Sequence, residues 1–282
     1  MSGALPGQAR CLTGKWISQR PRGNALKLIE LCIAGGGEHL AVTAGMRFIA
    51  LAALFAAACV GDTTDSDHDE PADFEVDPDD GKADGLSPTF DQNFVLTDAL
   101  LTDYLSLDVD KVQTFFERNP YGTRSWLASY KVDGMSAAEM VVEAAVAHEI
   151  NPLVLIARMQ VETSLVSKTS APTSRLINRA LGCGCPDGAA CNTAYAGLRK
   201  QLDCGARTLR KWYDGSVAGN GLWVRGTTKS TLDRKRVTPQ SHATSTLYAY
   251  TPWVLVGSGG TWLAWNVTRK YVRHAANTNL IE

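Results

Sequence analysis

Residues 149–165 read Glu-Ile-Asn-Pro-Leu-Val-Leu-Ile-Ala-Arg-Met-Gln-Val-Glu-Thr-Ser-Leu. Asn151 followed by Pro152 is a helix opening. The Asn side chain can cap free N–H groups, and Pro fits the first helical position, where no N–H is needed. The pattern predicts a helix from Leu153 to about Val166. It is apolar almost all round, as a helix enclosed by its own protein should be. Polar residues gather only toward its end, at Arg158, Gln160, Glu162, Thr163 and Ser164. With about 3.6 residues per turn, Glu162 shares a face with Leu155, Met159 and Val166. A carboxyl there is expected to have its charged form disfavoured and its pKa raised, as a general acid near neutral pH requires. Arg158, one turn earlier, can oppose this by pairing with the carboxylate.

The flanking sequence is also helical. Ser136-Ala137-Ala138-Glu139 is a capping box, followed by Met140, Val141, Ala144, Ala145 and Val146 in a helix ending near Ile150. Asp108 can cap a helix carrying Val109, Val112, Phe115 and Phe116. Pro120-Tyr121-Gly122 breaks the chain before a short helical or irregular piece with Trp126, Leu127 and Tyr130. Asp203 and Asp214 sit in an amphipathic helical stretch and read as solvated. The expected architecture is mainly α, one domain over residues 91–282 with a disulfide-stapled loop region.

What precedes the domain reads as an address and a leash. From Met46 the chain runs Met-Arg-Phe-Ile-Ala-Leu-Ala-Ala-Leu-Phe-Ala-Ala-Ala-Cys. The apolar run is too short to span a bilayer and fits the core of a secretory signal, assigned here to 46–59. Ala56-Ala57-Ala58-Cys59 resembles the lipobox of bacterial lipoproteins, although those usually carry Leu three residues before the Cys. The resemblance implies a lipid on Cys59; an ordinary cleavage after the small residues is the alternative. A signal normally starts a chain, so residues 1–45 read as an over-extended start rather than a domain. Residues 60–90 form an acidic, disordered tether: 61–85 alone hold 11 Asp/Glu and 1 Lys, too little apolar surface to fold. Its Asp-Asp-Gly-Lys-Ala-Asp-Gly run resembles the tethers of myxobacterial lipoproteins. Residues 86–282 hold 21 Lys/Arg and 16 Asp/Glu, a net of +5, which suits an anionic polymer as partner.

Cys183, Cys185, Cys191 and Cys204 fall close together without the paired C-x2-C spacing of common zinc sites. An exported chain favours disulfides. Cys183 and Cys185 are poorly placed to bond each other. This leaves Cys183–Cys191 with Cys185–Cys204, or Cys183–Cys204 with Cys185–Cys191. No metal or cofactor is expected. His148-Glu149 lacks a second His for a zinc motif, and neither a nucleophile elbow nor a phosphate loop appears.

The segment around Glu162 is similar to the lysozyme-like superfamily, which includes the lytic transglycosylases and other peptidoglycan hydrolases. There a core helix ends in a Glu followed by small hydroxyl residues, here Glu162-Thr163-Ser164. Leu181-Gly182, then Tyr195-Ala196-Gly197-Leu198-Arg199-Lys200-Gln201-Leu202, resembles the family's glycan-groove segment, with Leu198 in place of the usual Phe. Ala243-Thr244-Ser245-Thr246-Leu247-Tyr248-Ala249-Tyr250-Thr251-Pro252 resembles its Tyr-Thr-Pro stretch. The similarity spans roughly residues 105–275. It departs after Glu162, where transglycosylases carry Gly-Leu-Met-Gln and this chain has Leu181-Gly182-Cys183-Gly184-Cys185-Pro186-Asp187.

The resemblance implies a lysozyme-like fold and cleavage of peptidoglycan between N-acetylmuramic acid and N-acetylglucosamine, with Glu162 as catalytic acid and base. Ser164, Gln201 and Tyr250, with Tyr248 as second choice, would contact the glycan. Some of Trp212, Trp223, Trp253, Trp262 and Trp265 would stack on sugars, and most would fill the core. A hydrolase needs a second carboxylate, for which Asp187 is the only nominee; a transglycosylase needs none. The competing reading is a non-catalytic glycan-binding envelope lipoprotein on the same fold. The expected partners are glycan strands and, through Cys59, a membrane; no nucleic acid is expected, and the chain is expected to be an exported monomer.

Overall fold

The computed structural model describes residues 71–76, 81, 83–186 and 190–281, all within the second of the two units into which the chain divides, Val60–Glu282. The expected extension 1–45, the signal 46–59 with Cys59, and Asp187 lie outside the described residues.

The described chain is mainly helical. In order it forms α1 (Pro71–Phe74), α2 (Asp98–Thr102), α3 (Val109–Glu117), a 3-10 turn at Trp126–Ser129, the antiparallel pair β1 (Lys131–Val132) and β2 (Met135–Ser136), α4 (Ala137–His148), α5 (Pro152–Thr163) and α6 (Ser174–Ile177). A 3-10 turn at Thr193–Tyr195 precedes α7 (Leu198–Val217). The pair β3 (Lys229–Ser230) and β4 (Arg236–Val237), α8 (His242–Tyr250) and α9 (Gly260–Asn277) follow. The strand pairs are in register Lys131↔Ser136 and Lys229↔Val237. No single described helix is long and apolar enough to cross a membrane.

The core is built around α5, buried without a break from Pro152 to Gln160. It packs on α9, α4 and α7, while α3 lies on α4 and α8 on α7. Full burial of Leu153, Leu155, Ile156 and Met159 stabilises the fold by about 2 kcal/mol per side chain. The helix opens as its sequence dictates: the Asn151 side chain accepts from the Leu153 N–H at 2.8 Å, with Pro152 in the first turn. Ser136 and Glu139 close the capping box on α4, and Asp108 caps α3.

Two features depart from expectation. Helix α5 stops at Thr163 rather than near Val166, because Ser164 turns left-handed at φ 52°. The Gln160 side-chain oxygen then accepts from the N–H groups of Val166 and Ser167, both at 3.1 Å, so a side chain takes bonds that a longer helix would have made. The second departure concerns residues 60–90, read as a solvated tether. Their described parts pack on the domain. Leu86 joins the core and bridges to Leu96. Phe74 stacks on Trp262, and Phe90 meets Trp265 edge-on. Asp73 is buried, accepting from the Tyr121 hydroxyl at 2.5 Å and Gln160 Nε2 at 2.7 Å, with Lys270 Nζ at 3.8 Å. Partners from three separate places in the chain compensate a charge that would otherwise exclude this segment from the interior.

Candidate functional site

Glu162 stands in the last turn of α5, its side chain 28 % exposed. Arg158, one turn back and almost wholly buried, forms an ion pair with it through Nη2. The same nitrogen donates to Thr251 Oγ1 at 3.1 Å. The guanidinium carbon lies 4.4 Å from the centre of the Tyr250 ring, a cation–π contact shielded from water. Arg158 Nε and Nη1 find no hydrogen-bond partner among the described residues. Desolvation pushes the hydroxyl of partly buried Tyr250 well above its usual range; Arg158 works against this shift and the Glu162 carboxylate adds to it.

The wall facing Glu162 is the loop after α6. Gly182 adopts φ +68°, and a Cβ there would stand 3.1 Å from Glu162 Oε2. The carboxyl therefore rests against bare backbone, at a position where a side chain would be both crowded and strained. Several contacts hold this loop. Tyr250 donates its hydroxyl to the Leu181 carbonyl at 2.5 Å. The Leu181 side chain fits directly over Gly205 of α7, leaving no space for a Cβ. Cys183–Cys204 ties the loop to α7 and Cys185–Cys191 closes its far side, with Cα separations of 6.1 and 4.1 Å. Of the two pairings left open by the sequence, this is the one adopted.

Gln201 completes the clamp. Its oxygen accepts from the N–H groups of Leu181 and Cys183 at 3.2 and 3.1 Å. Its nitrogen donates to the carbonyls of Cys183 and Tyr195 at 2.8 and 2.9 Å. The amide is fully buried and its hydrogen-bonding capacity is used up, so Gln201 lies beneath the loop rather than on a surface open to a glycan. Tyr248 is likewise turned away. It is buried, stacks on Trp223 at 5.0 Å and donates to the Gln92 carbonyl at 2.9 Å. Ser164, the residue after α5, is partly exposed.

The structure thus brings Glu162 together with Tyr250, Gly182, Arg158 and Thr251, and puts Gln201 and the disulfides behind them. Among the described residues, no second carboxylate bonds to Glu162, Arg158, Tyr250 or Thr251. Asp203 and Asp214 are exposed on α7 beside His148 and Arg210. Thr251 was missed as a partner of Arg158, though it lies in the Tyr-Thr-Pro stretch. Gly182 was noted only as part of a motif; its φ and its contact with Glu162 are tertiary facts.

Two surface grooves lie apart from this cluster. One, about 580 Å³, runs between the β1–β2 hairpin, α4 and the start of α7, with Met135, Met140 and Leu198 on its floor. The other, about 880 Å³, is lined by Gly85, Leu100, Asn151 and Val272. Neither includes Glu162. No group of three metal-ligating side chains occurs among the described residues. Comparison with protein-family models, characterised proteins and solved structures finds no match to this chain.

Proposed function

We propose that the chain is a cell-envelope glycosidase on a lysozyme-like fold. It would cut peptidoglycan glycan strands between N-acetylmuramic acid and N-acetylglucosamine by the lytic transglycosylase route. The observation that carries this reading is Glu162 itself: a partly exposed carboxyl on the last turn of a buried helix, against the bare backbone of Gly182. A general acid needs this combination of rigid support and access. The ordered motifs around Glu162, Leu181-Gly182 and Tyr250-Thr251 add to it, because these are the segments that meet in space.

In the proposed reaction Glu162 gives its proton to the glycosidic oxygen as the bond to the muramic C1 breaks. The muramic 6-hydroxyl then attacks C1 and returns a proton to Glu162, leaving a 1,6-anhydro end and consuming no water. The transglycosylase route needs no second carboxylate, and Asp187, the nominee for a hydrolase, lies outside the described residues. For the acid step, substrate has to draw Glu162 out of its pair with Arg158. Tyr250 and Gln201 position the loop, and Ser164 is left as the side chain able to meet the glycan. Export through residues 46–59, a lipid on Cys59 and a monomeric state belong to the same proposal.

One observation favours a second reading. Glu162 is already paired with Arg158, as a structural acid would be, and a glycan-binding protein without activity fits that pairing. Digestion of purified sacculi followed by mass spectrometry separates the two. Muropeptides with 1,6-anhydro ends, lost in Glu162→Gln, support the transglycosylase. Reducing ends would instead indicate a hydrolase. Equal lysis by wild type and variant would remove Glu162 from the mechanism, and binding without lysis by either would establish the second reading.

A further inference from the structure

The β3–β4 hairpin and the loop after α8 are joined by hydrogen bonds at their tips. The Leu232 N–H donates to the Pro252 carbonyl at 2.8 Å. Asp233 accepts from the N–H groups of Val254 and Leu255 at about 3.1 Å and from the Thr231 hydroxyl at 2.5 Å. These bonds outweigh the effect of burial and hold the Asp233 carboxyl below its usual range. The one carboxylate of the tip is thus committed to holding the two loops together.

The joined loops combine exposed apolar and basic side chains. Leu232, Leu255 and Val256 are 61 %, 37 % and 65 % exposed. The same hairpin carries Arg234, Lys235 and Arg236, all exposed and without an ion pair among the described residues. Lys229, at the start of the hairpin, donates to the Leu222 carbonyl at 2.8 Å. Large apolar side chains held outward cost free energy in water, and single ones are common, but three of them on two loops bonded to each other, beside basic residues, mark a surface that meets something else.

We propose that this tip seats the domain on an anionic lipid bilayer. The cations would meet lipid phosphates while Leu232, Leu255 and Val256 enter the boundary between headgroups and acyl chains. A soluble polyanion would satisfy the cations equally well but gives the apolar apex nothing to enter, so the bilayer is the partner that uses both halves of the surface. The contact is independent of any lipid at Cys59 and of the reaction at Glu162. It would also link the membrane contact to the Glu162 cluster, because Thr251, which accepts from Arg158, begins the same loop.

The test uses the full chain, with a nitroxide side chain introduced at residue 256 as a non-natural amino acid and a control label at exposed Val217 on α7. Local depth at each label is read from its accessibility to oxygen and to a water-soluble relaxant, so anchoring elsewhere in the chain does not mask the result. On phosphatidylglycerol vesicles the label at 256 is expected to become oxygen-accessible and relaxant-protected, while the label at 217 stays aqueous. Phosphatidylcholine vesicles should leave both aqueous. The triple change Arg234→Gln, Lys235→Gln and Arg236→Gln should weaken insertion by about tenfold or more, and Leu232→Ser should make it shallower. A label at 256 that stays aqueous on anionic vesicles overturns the proposal; if a soluble polyanion immobilises it under the same conditions, the tip is a polyanion site instead. Insertion unchanged by the triple variant would also overturn it.

Discussion

Arg158 and Glu162 form an ion pair whose two halves see different solvents: the guanidinium is 2 % exposed and the carboxyl side chain 28 %. Removing the arginine leaves a carboxylate that can rehydrate, and also removes two buried nitrogens that have no hydrogen-bond partner among the described residues. Removing the carboxylate leaves a buried cation with Thr251 and the Tyr250 ring as its only described neighbours of opposite polarity. The costs of the two truncations should therefore be unequal. We expect Arg158→Met to cost less than about 2 kcal/mol and Glu162→Ala about 2–4 kcal/mol. Urea denaturation of both single variants and the double variant measures the difference. Equal costs would mean that the pair is hydrated alike on both sides.

Gly182 tests the wall of the site separately from its acid. An alanine methyl would stand 3.1 Å from Glu162 Oε2 at φ +68°. The backbone strain is about 1–2 kcal/mol, while the contact pushes the carboxyl out of place. Gly182→Ala is expected to keep the fold, lose a small part of the stability and lose most of any lytic activity. Full activity in this variant would show that the approach of Gly182 to Glu162 has no role in the reaction.

The elements were legible in the sequence where local chemistry determines them. Asn151-Pro152, the Ser136–Glu139 box and Asp108 marked helix starts that the structure reproduces. The end of α5 was not legible, because it depends on which N–H groups the Gln160 side chain reaches, a matter of three-dimensional approach. Tyr248 and Tyr250 illustrate a second limit. Two residues apart on a helix, they point about 200° apart, so only one can face α5; a motif gives the position but not the facing. Gln201 shows a third: a buried amide that clamps a loop and an exposed one that grips a ligand look the same in one dimension. Asp73 is harder still. Nothing distinguishes it from its acidic neighbours until Tyr121, Gln160 and Lys270 converge on it.

The loop clamp gives a prediction of its own. Gln201→Leu keeps much of the volume and leaves the N–H groups of Leu181 and Cys183 and the carbonyls of Cys183 and Tyr195 without their partner. Leaving several buried backbone groups unpaired should cost about 2–4 kcal/mol even if water reaches some of them. The effect should be local. Hydrogen exchange at Leu181 and Cys183 is expected to rise far more than exchange along α5, and uniform acceleration across both would contradict the clamp.

The two disulfides should differ in weight. Cys183–Cys204 closes a sequence separation of 21 and Cys185–Cys191 one of 6. Chain-entropy arguments give about 3 and about 2 kcal/mol respectively. Replacing the first pair by Ser should therefore lower the thermal midpoint more than replacing the second. It should also loosen the loop beside Glu162, whereas the second replacement leaves Gly182 held by Gln201 and Tyr250. The opposite ranking in calorimetry would show that the denatured chain is already constrained in this region.

His274, near the end of α9, makes a prediction about pH. Burial holds its pKa below the usual 6.5, opposed in part by the hydrogen bond from Nε2 to the Arg118 carbonyl at 2.6 Å. Above pH 6.5 the imidazole is neutral in folded and unfolded chains alike and contributes no pH dependence. As pH falls below 6.5 the unfolded chain takes up the proton first, while the folded chain resists because the ring is packed edge-on against Phe115, 5.4 Å between centres. Stability conferred by the neutral ring is thus present above the unfolded pKa and is lost as pH falls toward the folded one. Denaturation series between pH 7.5 and about 5 should show a downward slope in the wild type that is shallower in His274→Gln, which keeps a donor for Arg118 but cannot titrate. Since the other ionisable groups are common to both chains, the difference between the two curves isolates this one proton, and parallel curves would mean that His274 titrates in the folded protein as freely as in the unfolded chain.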